Sequence, residues 1–133
     1  MRRLVRPCLI CLVSTVGAAG CGGGSSPTSP STPTTPVPTG PTITIESGAA
    51  TPKQLVVTPG TRVLFVNRDT RTHQMNSDPH PAHTECPELN QVGFLRPGDT
   101  RETGNLNTVR TCGFHDHDDP NNAALRGSLV IRP

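Results

Sequence analysis

Apolar residues in the C-terminal two thirds of the chain fall in short runs at the spacing of strands, with no run at helical spacing. Six segments carry the pattern: "TITIE" (42–46), "KQLVVT" (53–58), "TRVLFVN" (61–67), "QVGFLR" (91–96), "NTVRTCGF" (107–114) and "GSLVIRP" (127–133). Successive side chains of a strand point to opposite faces, so alternation of this kind predicts strands with one face buried. "TPG" (58–60) and "RPG" (96–98) supply turns between them. No internal repeat is present. Several short strands with proline–glycine turns in a chain of this size predict an all-β fold, an antiparallel Greek-key β-sandwich. One connection, 68–90, is long for a compact domain, and it carries His73, His80, His83 and Cys86. A loop of that length and composition points to function.

The residues before this domain read differently. "MRRLVRP" followed by "CLICLVSTVGAAG" is a basic stretch and a short apolar run, the pattern of a bacterial secretory signal over 1–20. Ala18, Ala19 and Gly20 directly precede Cys21, which resembles a lipoprotein cleavage site and makes Cys21 the expected lipidated residue. Residues 21–41 are almost wholly Gly, Ser, Thr and Pro, a solvated tether. The expected domain is therefore 42–133, carried by a lipid anchor on the periplasmic or cell-surface side of a membrane.

That division changes the charge. The chain has 12 basic and 10 acidic residues, but Arg2, Arg3 and Arg6 belong to the signal. The remainder is near neutral, with no basic run and no interleaved aromatics, which argues against a nucleic-acid partner. The only aromatic residues are Phe65, Phe94 and Phe114, so the core is thin and a cross-link or bound metal would help it. Cys8 and Cys11 fall in the signal, leaving Cys86 and Cys112 for the domain. All five histidines lie between 73 and 117, in the 68–90 connection and in "TCGFHDHDDP" (111–120).

"TPGTRVLFVNRDTRTHQM" resembles the middle of a cupredoxin, the copper-binding sandwich of the plastocyanin and azurin type. The resemblance runs through Pro59, Gly60, Val63, Phe65, Asn67, Asp69 and His73, with "CGFHDHDD" and "LRGSLVIRP" in the place of the second ligand cluster and last strand. It implies a sandwich with copper bound between the 68–90 and 115–126 loops, His73 being the first ligand. His115 and His117, two apart on a strand, present their imidazoles in one direction, and with His73 they would make a three-nitrogen site suited to Cu(II) or Zn(II). His80, His83 and Met75 are secondary candidates. Asp116 is a candidate for orienting an imidazole.

Cys112 admits three readings. Cys112-Gly113-Phe114-His115 has a blue-copper spacing, but no methionine follows His117, and Arg110 stands where the family places an aromatic residue. Taking Phe114 as that aromatic moves the copper-cysteine position onto Asp116. In an oxidising compartment Cys86 is the available partner, so a Cys86–Cys112 disulfide is expected; a copper thiolate and an inert buried thiol are the alternatives. The functional expectation is an extracytoplasmic copper-binding protein and not an enzyme. It would transfer single electrons to a redox partner if a thiolate ligates, or hold copper and deliver it to a partner if imidazoles alone do. "GFHDH" also resembles the copper stretch of copper–zinc superoxide dismutase, though no histidine follows His117. A metal-free sandwich acting as a surface interaction module is the third class, and it leaves the histidine clustering unexplained.

Overall fold

The computed structural model describes residues 39–133, so the signal, Cys21 and most of the tether lie outside the described residues. Among the described residues there are nine strands: β1 (Thr42–Glu46), β2 (Ala49–Thr51), β3 (Gln54–Val57), β4 (Leu64–Asn67), β5 (His73–Ser77), β6 (Gly93–Leu95), β7 (Thr100–Glu102), β8 (Arg110–Asp116) and β9 (Gly127–Ile131). Among the described residues no helix is long and apolar enough to cross a membrane.

The strands form two layers, one in the order β2-β1-β4-β7 and the other β3-β9-β8-β5-β6. The expected sandwich is there, and most pairings are antiparallel. Two run parallel: β1 beside β4, and β3 beside β9. β1 and β2 form a hairpin through Ser47 and Gly48, both with positive φ (52° and 74°), as a two-residue turn of the I′ kind demands.

Alternation along each strand fills the space between the layers. Ile43 and Ile45 of β1, Phe65 of β4, Met75 of β5, Cys112 and Phe114 of β8, and Leu129 and Ile131 of β9 are all buried. Phe65 and Phe114 meet across the layers edge to face, with centroids 5.5 Å apart and rings at 86°. This is a favoured geometry for an aromatic pair. Phe94, the third aromatic, is exposed on edge strand β6.

Cys86 and Cys112 are joined, with Cα atoms 5.6 Å apart. The bond ties the long connection to β8 inside the core. Across a sequence separation of 26 residues, the chain-entropy model gives about 3.5 kcal/mol of stabilisation. Replacing both cysteines with alanine should lower the unfolding free energy by about that amount, read from denaturant unfolding with a steeper slope for the unbridged form, whose unfolded chain is more open.

Candidate metal centre

Strand parity decides how the histidines are grouped. β5 and β8 pair with Met75 opposite Asp116, Asn76 opposite His115 and Ser77 opposite Phe114. Met75, Phe114 and Asp116 therefore share the core face with His73, while His115 shares the outer face with Asn76. His73 and His115 stand on opposite faces of one sheet.

His73 is fully buried at the end of the core, and both of its ring nitrogens are engaged. Nδ1 lies 2.8 Å from Asp116 Oδ2, and Nε2 lies 3.3 Å from Asp69 Oδ2. Asp116 Oδ1 accepts the N–H groups of Gln74 at 3.0 Å and Asp118 at 3.3 Å. Asp69 accepts from Thr70 and Gly48. These two N–H groups, Thr70 first, hold its carboxyl below the usual range, and His73 adds to the effect. Asn67 Nδ2 donates to the carbonyls of Arg71 and Leu95, and Asn67 Oδ1 accepts from Asp69 N–H. Asn67, Asp69 and His73, quoted above for the resemblance, thus build a closed hydrogen-bonded web in which both ring nitrogens of His73 face carboxylates. The expected three-nitrogen set of His73, His115 and His117 is not brought together.

The other four histidines are. One nitrogen from each of His80, His83, His115 and His117 lies within 4.8 Å of the others. Metal–nitrogen bonds of about 2 Å span up to about 4 Å across a centre, so small ring rotations close the set. His115 and His117 come from the end of β8 and the residue just beyond it; His80 and His83 come from the connection folded over them. The His117 ring nitrogen Nδ1 is 3.1 Å from Nε2 of His83. His80 is exposed, with its ring centroid 4.9 Å from that of His117 and 5.5 Å from that of His115.

His115 carries the clearest sign of a ligand. It is 1% exposed, and Nδ1 lies 2.7 Å from Asp78 Oδ1. Nε2 is buried with no hydrogen-bond partner. A carboxylate that orients an imidazole while the far nitrogen stays free is the usual outer partner of a histidine ligand. Gly113 makes the contact possible, because a Cβ there would collide with the Asp78 carboxylate.

The loop is held in place by several contacts. Asp78 N–H donates to Gly113 O at 3.0 Å, Gly113 N–H donates to Glu85 Oε2 at 2.7 Å, and Asn90 Nδ2 donates to His83 O at 2.7 Å. His83 sits in the left-handed region at φ 51°, a conformation that a non-glycine residue keeps only when its surroundings impose it. Its pKa is lowered, first by burial and then by the neighbouring His115, His117 and His80, with Asp78 opposing. A neutral imidazole is the form that binds metal.

The remaining candidates lie elsewhere. Met75 is buried in the core and outside the histidine cluster. Cys112 is consumed by the disulfide, so no thiolate is available from it. Asp116 orients an imidazole as expected, but that imidazole is His73.

No protein-family model matches the chain, and no curated protein does. Solved structures do match in fold. A purple cupredoxin from Nitrosopumilus maritimus aligns at TM-score 0.53 and 18% identity, covering 69% of this chain and 99% of its own. The fold is that of a cupredoxin. The oxidised plastocyanin of Dryopteris crassirhizoma gives 0.54 and 18%, covering 68% and 99%. Amicyanin from Paracoccus versutus gives 0.56 and 14%, covering 72% and 85%. Within this cupredoxin-like domain, the register set by Phe114 puts Asp116 where the resemblance calls for the copper cysteine. Asp116 spends its carboxylate on His73, so these residues do not fit a copper ion there. The donor set that fits is the one on the outer face.

Proposed function

We propose that the domain binds copper through His80, His83, His115 and His117, and that it holds and hands on the ion. The observation that carries this reading is the convergence of four imidazole nitrogens within 4.8 Å, one of them buried and unpartnered. An all-nitrogen set suits Cu(II), and among the described residues both cysteines are bridged, so none offers the soft thiolate that balances Cu(I) against Cu(II) in electron transfer. Exposed His80 gives an acceptor protein a ligand to displace first. A disulfide in so small a domain fits an extracytoplasmic setting, as does the signal-like first segment. Lipid attachment at Cys21 is part of the same proposal.

Titration of residues 42–133 with Cu(II) tests it. One equivalent should bind, the colour should stay pale, and the electron paramagnetic resonance spectrum should show coupling to several nitrogens. An intensely blue protein with a titratable thiol, or no stoichiometric uptake, would sink the reading.

A further inference from the structure

The histidine cluster opens on one side into a cleft of about 540 Å³ whose walls include Asp78, His80, His115, Asn121 and Arg126. Two of the proposed ligands thus face the cleft. Its two charged wall residues, Asp78 and Arg126, balance each other when no metal is bound. The adjoining carboxylate is shared: Asp78 Oδ1 is taken by His115, while Oδ2 faces Arg126 Nη2 at 3.4 Å. Arg126 is half-exposed, and that single long contact leaves the rest of its donor fork to the cleft. A divalent ion on the histidines would leave this wall with a net positive charge beside an open space large enough for a small organic ion.

Resting on the four-histidine reading, we propose that the cleft is a small-anion subsite. It takes a small carboxylate, drawn by the combined positive charge of the bound copper ion and the Arg126 guanidinium. A planar guanidinium fork matches a carboxylate in shape as well as in charge, which favours this class over a halide. Asn121 on the same wall offers an amide for the remaining polar groups of the ligand. Copper arriving as a complex with a small organic acid could then dock without first losing that acid.

The test is a titration of the copper-loaded domain with sodium acetate at constant ionic strength, followed by visible absorption and paramagnetic resonance. A saturable spectral change is expected. In Arg126→Gln the acetate affinity should fall about tenfold, which corresponds to about 1.4 kcal/mol, with Arg126→Lys intermediate. Copper affinity measured without acetate separates a lost cleft contact from a damaged metal site. A loaded domain whose spectrum ignores acetate, or an Arg126→Gln variant that titrates like the parent, overturns the subsite and leaves the copper reading standing. Failure to load copper at all removes both.

Discussion

Replacing His73 with alanine should destabilise the domain by about 3 kcal/mol yet leave copper binding intact. Its ring is wholly buried between the carboxylates of Asp116 and Asp69. Removing one partner of a buried charged set typically costs 3–5 kcal/mol, because the other charge is left behind in a medium that solvates it poorly. The lower end applies here, since Asp116 keeps the N–H groups of Gln74 and Asp118. His73→Gln, able to reach one carboxylate, should recover part of the loss. Denaturant midpoints give the stability and copper titration gives the affinity. A collapse of copper affinity with little change in midpoint would place the metal at the core end of the sheet and reverse the assignment.

The complementary result is expected at His115. His115→Ala should weaken copper by more than about 100-fold, beyond what loss of an outer-sphere partner produces. Asp78→Asn, which keeps a side chain of the same shape against Gly113 but takes the negative charge from the His115 contact, should weaken it by about 10-fold. His80→Ala should have the smallest effect of the four, because the exposed ring gives up least to solvent. Alanine variants of His80, His83, His115 and His117 are titrated with His73→Ala run alongside. Equal, small losses at all five histidines would indicate diffuse binding by a histidine-rich loop and no defined centre.

The sandwich was legible because burial imposes a period of two, and the six segments that show it all contain strands. The three strands not anticipated lack that signature. β2 is three small residues, β7 is exposed along its length, and β5 reads "HQMNS", buried but mostly polar. Missing β5 had the larger consequence. Without it the connection 68–90 looked like one loop, and nothing opposed grouping His73 with His115. With β5 in register, parity puts them on opposite faces. The clustering of histidines and the pairing of Cys86 with Cys112 were readable from chain position and chemistry. The dominance of His80 and His83 over His73 was not, because it depends on Asn90 and Gly113 shaping the loop, and neither announces that role locally.

The path from Ser77 to Cys86 has a further consequence. Cys86 N–H reaches back to Ser77 Oγ at 3.3 Å across nine positions, so the segment leaves β5 and returns almost to its starting point. With the disulfide at the return and a sheet strand at the departure, it is a closed noose that carries His80 and His83 with little slack. An ion captured there would order almost no additional chain, and its residence time would depend on rotation of one exposed imidazole, not on opening of the loop. Such a centre can hold its ion tightly and still exchange it quickly, since the motion required is a side-chain turn and the backbone is already in place.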